Sequence, residues 1–300
     1  MNRNNIAGHV ACFAAYAIFG INIIVCKDLT GGHMISPLAL FTLRSIGAGL
    51  LFWMLSLFLP KEKVDKKDYI KIFAASFLGF FVTQITFLIA IPVVTPMSCS
   101  IISAMSPIYT MFIAALAIKE PVTLKKAGGV CLSMFGIIFL IINSVGTGNG
   151  ASENSLYGIV LMILNSLSFS LYLGIFKPLI SRYSAVTFMK WIFLFATLMS
   201  LPVSAKEIAT LSWGSIPGQQ IAELGFLIIF ATFISYFLIP IGQKRIRPTL
   251  VSMYSYIQPI IATVISIFLG MDTLSWQKVL AACLVFGGVV IVSRSRSASH

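Results

Sequence analysis

Apolar runs of about 20 residues recur along the whole chain, each long enough to cross a hydrocarbon core of roughly 30 Å as a helix. Ten such segments can be drawn: 5–29, 37–58, 68–91, 96–118, 123–142, 155–180, 184–204, 219–242, 249–270 and 275–293. In lipid every backbone N–H and C=O needs an internal partner, which favours helices for segments of this length. Composition points the same way. Only 10% of the 300 residues are charged, against about 25% in a soluble domain. That is too few to coat a globule of this size. The expected fold class is all-α integral membrane, with ten transmembrane helices.

The net charge of +12 does not describe a nucleic-acid surface, because the basic residues form no single patch. They sit in short segments between apolar runs, as orientation signals do. With the N-terminus inside, 16 of the 21 Lys and Arg residues fall in inner segments. Three, Lys27, Lys206 and Lys278, fall in outer ones, and Arg44 and Lys190 fall within segments. This asymmetry puts both termini in the cytoplasm and requires an even number of spans. The first run follows only "MNRNN" and lacks a cleavage pattern, so no signal peptide is expected. Cys12, Cys26, Cys99, Cys131 and Cys283 lie within or at the ends of apolar runs. None has metal-ligand spacing, so they read as core or lipid-facing residues, with no metal or cofactor expected. No GxxxxGK[ST], HExxH or GxSxG motif occurs, which argues against an enzyme.

The two halves resemble each other. Shifting residue 96 by 152 brings Pro96 onto Pro248, Ser103 onto Ser255, Pro107 onto Pro259, Glu120 onto Asp272 and Gly136 onto Gly288. Gly8 likewise falls over Gly158, and Lys27 over Lys177. The flexible "NSVGTGNGASENS" at 143–155 is the natural midpoint. It divides the chain into repeats at 1–145 and 146–300. Each repeat has an odd number of helices, so the two lie inverted in the membrane, a mark of many secondary transporters.

The stretch "SAMSPIYTMFIAALAIKEPVTLKKAGGVCLSMFGIIFLI" resembles the end of an EamA repeat in the drug/metabolite transporter superfamily. The resemblance rests on Pro107, Glu120, Gly128 or Gly129, and Gly136, and again on Pro259, Asp272 and Gly288. Asp272 stands where the family usually has glutamate. The resemblance implies ten helices in two inverted repeats and export of small metabolites such as amino acids across a bacterial inner membrane. It also implies a central cavity bounded mainly by segments 1, 3, 4, 6, 8 and 9. The small multidrug members of the superfamily keep a glutamate in helix 1, where this chain has Tyr16-Ala17-Ile18. Cationic drug–proton antiport is therefore disfavoured.

Proline removes a helical N–H and frees the carbonyl four residues earlier. Pro107 frees that of Ser103 and Pro259 that of Ser255, both near the midplane. One reading is a hinge beside a wet cavity lined by Ser103, Ser106, Ser255 and Gln258. The other is a static kink whose hydroxyls bond their own backbone. Further cavity candidates are Tyr16, Phe19, Asn22, Asn165, Ser168 and Tyr172 in segments 1 and 6. Thr83, Gln84, Ser235 and Tyr236 join them from segments 3 and 8, and Tyr256 from segment 9. Aromatic rings beside small polar groups suit a zwitterion with an apolar side chain, though scattered aromatics are common in any membrane bundle and, taken singly, more often serve packing. Arg44 and Lys190 either line the pathway and attract an anionic group, or snorkel to the interface. Close helix packing is expected around Gly79, Gly129, Ser133, Gly136, Gly287 and Gly288.

The functional expectation is an exporter working by alternating access, with amino acids as its substrates and membrane lipids as its surroundings. A multidrug or nucleoside exporter and a lipid-linked sugar flippase are the alternatives. The short outer loops favour a monomer.

Overall fold

The computed structural model describes residues 3–31, 35–118, 124–145, 155–246, 248–270 and 274–294. Among these residues every regular element is helical. From the N-terminus they are α1 (Arg3–Gly31), α2 (Pro37–Leu57), α3 (Lys66–Val93), α4 (Pro96–Ser103), α5 (Ser106–Ile118) and α6 (Leu124–Val145). The chain continues with α7 (Leu156–Ile175), α8 (Lys177–Arg182), α9 (Ala185–Ala209) and α10 (Gly218–Arg245). It ends with α11 (Pro248–Met253), α12 (Ile257–Phe268) and α13 (Trp276–Arg294). Helices α1, α2, α3, α7, α9 and α10 are long and apolar enough to cross a membrane, and four shorter apolar stretches accompany them. Large apolar side chains such as Leu57, Phe58, Ile70 and Phe268 stand exposed on the outside. The chain is a multi-pass membrane protein.

Local sequence sets several helix starts. Ser36, Thr95 and Ser184 sit before the first turns of α2, α4 and α9, and their hydroxyls accept from the amides of Ala39, Ser98 and Thr187. Each satisfies one of the orphan N–H groups that open a helix. Pro37 and Pro96 occupy the first helical position, where no N–H is missed.

The internal likeness reappears as contacts. A Cβ on Gly8 would lie 2.8 Å from Cβ of Arg245, and one on Gly158 would lie 2.4 Å from Val94 and 2.8 Å from Val93. Arg245 and Ile246 are the counterparts of Val93 and Val94 under the shift of 152. The lysines follow suit. Lys27 Nζ donates to Val94 O at 2.8 Å, and Lys177 Nζ donates to Ile246 O at 3.0 Å. Each half thus uses one glycine for close approach and one lysine to satisfy a carbonyl at a helix end.

The small residues of α6 and α13 do what their spacing predicts. Ser133 Oγ donates to Val285 O at 3.0 Å, and a Cβ on Gly288 would fall 2.3 Å from Gly129 O. At the basic end the chain is tied by charge. Arg182 Nη1 reaches Asp68 Oδ2 at 2.5 Å, and the Tyr183 hydroxyl donates to the same oxygen at 2.7 Å. The Ser184 amide donates to the Glu62 carboxylate at 2.9 Å, and Lys244 Nζ donates to Tyr183 O. Burial alone would raise the Glu62 carboxyl, but the Ser184 amide, the Thr187 and Ser184 hydroxyls and the Lys244 charge outweigh it and hold it below its ordinary value. Glu120 and Asp272, which carry part of the family resemblance, lie outside the described residues.

Candidate functional site

The chain does not merely kink at its two serine-proline pairs. It breaks there. Helix α4 ends at Ser103, two turn residues follow, and α5 begins at Ser106, just before Pro107. In the second half a 3-10 turn, Tyr254–Tyr256, separates α11 from α12, which starts two residues before Pro259. Both breaks face one cavity, whose empty space is about 540 Å³ including the part continuous with solvent.

Most of the polar and aromatic residues singled out from the sequence meet around that cavity. Helix α1 supplies Tyr16, Phe19 and Asn22, and α3 supplies Thr83 and Gln84. Ser103 and Ser106 come from the first break, Ser255 and Gln258 from the second, Asn165 from α7 and Tyr236 from α10. Apolar Ile23, Phe87 and Phe169 complete the wall. Across the cavity, Gln84 Nε2 donates to the Tyr236 hydroxyl at 2.9 Å. Tyr236 is also boxed by Phe19, Phe80 and Phe193, with ring centroids 5.1 to 5.8 Å away. Three polar atoms of this wall are buried and have no hydrogen-bond partner: Tyr16 OH, Gln84 Oε1 and Ser255 Oγ. Buried polar atoms are satisfied in the great majority of cases. Three orphans in one wall mark a surface suited to a polar guest.

Two π-helical segments brace the site, Phe77–Val82 in α3 and Leu227–Ile234 in α10. Such segments widen a helix and are common at functional sites. Each is tied by hydroxyls that donate five residues back. Thr83 donates to Leu78 O at 2.7 Å, Thr232 to Leu227 O at 2.7 Å, and Ser235 to Phe230 O at 3.0 Å. Asn165 Nδ2 adds a bond to Thr83 O at 2.6 Å.

Four of the expected cavity residues stand elsewhere. Ser168 donates to Leu78 O at 2.8 Å, so it props the π segment of α3 instead of the cavity. Ser235 is consumed in the same way on α10. Tyr172 is buried against Gly79, where a Cβ would fall 2.4 Å from its ring. Tyr256 packs edge-on against Phe286 of α13. Lys190 is likewise off the cavity wall, with its Nζ 5.0 Å from the centre of the Trp53 ring. Trp53 and Tyr69 flank Trp191 there, an aromatic-cationic cluster of the kind found at membrane interfaces. Arg44 is buried, and among the described residues no carboxylate pairs with it. Its Nε donates to Thr232 Oγ1 at 2.9 Å and its Nη1 to Cys26 Sγ at 3.5 Å, while Nη2 has no partner.

The profile of the EamA-like transporter family matches residues 6–142 and again 156–294. The chain belongs to that family. It is 22% identical over 264 residues to an uncharacterized transporter of Archaeoglobus fulgidus, covering 88% of this chain and 91% of that one. It is 20% identical over 294 residues to the uncharacterized transporter YetK of Bacillus subtilis, covering 96% and 87%. An S-adenosylmethionine/S-adenosylhomocysteine transporter of Chlamydia muridarum is 25% identical over 240 residues, covering 76% and 74%. A solved crystal structure superimposes with a TM-score of 0.67 at 16% identity, covering 95% of this chain and 96% of that one. That likeness speaks for the fold.

In this EamA-like transporter the sequence left two features unread. The π segments have no composition signal, although the hydroxyls at Thr83, Thr232 and Ser235 are its trace. Ile23, Phe87 and Phe169 look like any other apolar residues of a membrane helix. A helical turn from Phe19 to Ile23, and one from Asn165 to Phe169, would have flagged two of them.

Proposed function

We propose that the protein is a secondary transporter that exports amino acids by alternating access around the cavity between its two serine-proline breaks. Ten helices cross a bacterial inner membrane in two inverted five-helix repeats, 1–145 and 146–300, with both termini in the cytoplasm. The lining fits such a guest. Tyr16, Phe19, Phe87, Phe169 and Tyr236 offer rings to an apolar side chain, while Asn22, Gln84, Ser255 and Gln258 offer hydrogen bonds to a zwitterionic head. The observation that carries the reading is the set of three buried, unpartnered polar atoms in one wall, Tyr16 OH, Gln84 Oε1 and Ser255 Oγ. The work is transport by a monomer, with the candidate hinges at Pro107 and Pro259 and no catalytic step.

A second reading is favoured by the chlamydial relative. S-adenosylmethionine is an amino acid carrying a nucleoside, and the aromatic wall would stack its base. Counterflow in liposomes separates the readings. Protein loaded with unlabelled phenylalanine should accumulate labelled phenylalanine or other amino acids. Exchange of S-adenosylmethionine, a nucleoside or a lipid-linked sugar, with no amino acid exchanged, overturns the first reading.

A further inference from the structure

We propose that Arg44 holds the carboxylate of the transported molecule at one end of the cavity, so that substrates of this transporter carry a carboxylate. The inference rests on the transport reading above and narrows its substrate class. Arg44 is 1% exposed, which excludes snorkelling. Its side chain is a guanidinium, a cation with five N–H donors and no acceptor. Among the described residues, no carboxylate lies within 4.0 Å of it. Both of its bonded partners are neutral. Thr232 Oγ1 accepts from Nε and donates its own hydroxyl hydrogen bond to Leu227 O. Cys26 Sγ accepts from Nη1. Nη2 is buried and has no partner. Hydrogen bonds to a hydroxyl and a thiol explain the donors but not the charge. A buried cation of this kind calls for an anion.

Both partners also lead to the cavity. The Cys26 thiol donates to Asn22 Oδ1 at 3.5 Å, and Asn22 lines the wall. Thr232 lies one helical turn from Tyr236, which lines it from the other side. The guanidinium thus sits one turn beyond the wall, linked to it through α1 and α10. Its planar fork of donors matches a carboxylate. A substrate head reaching that end would meet Arg44, while its side chain stayed among the rings.

Cys26 is a built-in reporter. The full-length transporter in phosphatidylcholine liposomes is treated with two methanethiosulfonate reagents, one bearing a sulfonate and one a trimethylammonium group. Modification of Cys26 is followed by peptide mass spectrometry. The anionic reagent should react faster by about tenfold or more. Arg44→Gln should abolish that preference and Arg44→Lys should keep most of it. Phenylalanine or benzoate should slow the reaction, while phenylalaninamide and benzamide should not. Equal rates, a preference that survives in Arg44→Gln, or no modification of Cys26 by either reagent overturns the proposal. Protection by added phosphatidylglycerol but by neither soluble carboxylate also overturns it, because Arg44 would then hold a lipid headgroup. A charge preference with benzoate protection but no exchange of amino acids keeps the carboxylate site and removes the amino-acid reading. Amino-acid exchange unaltered in Arg44→Gln does the reverse.

Discussion

The two serine-proline breaks occupy equivalent places in the two halves, yet their hydrogen bonding is opposite. Around the first, the serine hydroxyls are engaged, and the unpartnered hydroxyl nearby is that of Thr110, one turn further on. Ser103 Oγ donates to Cys99 O at 2.9 Å, and Ser106 Oγ donates to the freed carbonyl of Ser103 at 2.8 Å. Ser166 pairs with Ser106 at 2.9 Å, and Ser170 closes the knot on Ser106 O at 3.0 Å. Around the second, the counterpart of Ser103 is Ser255, whose hydroxyl is buried and unpartnered. Gln258 replaces Ser106, and Tyr16 with its own unpartnered hydroxyl replaces Ser166. One break is closed by serines. The other presents larger polar side chains to the cavity. Two matches to one family profile thus need not be built alike. The same break in the backbone is held by a serine network in one half and leaves a hydroxyl free in the other.

Mutations at matched positions sharpen this contrast. The largest effect is expected at Ser106→Val, which removes the shorter of two hydroxyl donors to the Ser103 carbonyl and leaves only Ser166 at 3.4 Å. It should cost about 2–3 kcal/mol, read as a lowered Tm in detergent. Gly20→Ala tests the packing of α1 beside the second break, since a Cβ there would lie 2.9 Å from Cβ of Ile261. It should cost about 1–2 kcal/mol and slow counterflow more than it lowers yield. Ser255→Ala removes a hydroxyl that bonds nothing. Stability should change by less than about 0.5 kcal/mol, while counterflow falls. A stability loss at Ser255→Ala as large as at Ser106→Val would erase the contrast.

The smallest effect lies away from both breaks, at the basic end. The Glu62 carboxyl is held below its ordinary value, so the stability it contributes is complete above that value, near pH 4.5. It is lost as pH falls through the lowered value of the folded state. Glu62→Gln should therefore lower Tm slightly at neutral pH and converge with the parent at lower pH. A difference that persists unchanged under acid would place the contribution outside the charge. The solvent-exposed setting limits the effect to a few tenths of a kcal/mol, as for a surface ion pair, about 0.2–1 kcal/mol.

The sequence made much of this arrangement legible, for identifiable reasons. Length and hydropathy define helices in lipid because the backbone has few other solutions there. The repeat was readable because prolines and lysines are rare in such helices, so the coincidences of Pro107 with Pro259 and Lys27 with Lys177 stand out. Cavity residues such as Asn22, Gln84 and Gln258 were readable because amides are costly to bury without a reason. Ser168, Ser235 and Tyr172 fall outside the cavity lining because a small hydroxyl or a phenol can serve a backbone carbonyl or packing equally well. Which use prevails depends on rotation of the helix and on the π segments, where one added residue per turn re-aims every side chain that follows. Arg44 was visible as a charge within a segment, but that no carboxylate among the described residues pairs with it is a fact of three dimensions.

The central claim is that the second break leaves hydrogen-bonding groups free for the guest, while the serines of the first are engaged with one another. Single cysteines at Ser103→Cys and Ser255→Cys, in an otherwise cysteine-free transporter that still exchanges substrate, test it most directly. Labelling by a water-soluble maleimide in liposomes, with and without phenylalanine, is the measurement. The account predicts that substrate protects position 255 from labelling and leaves labelling at 103 unchanged. Equal protection at both positions, or protection confined to 103, would contradict it.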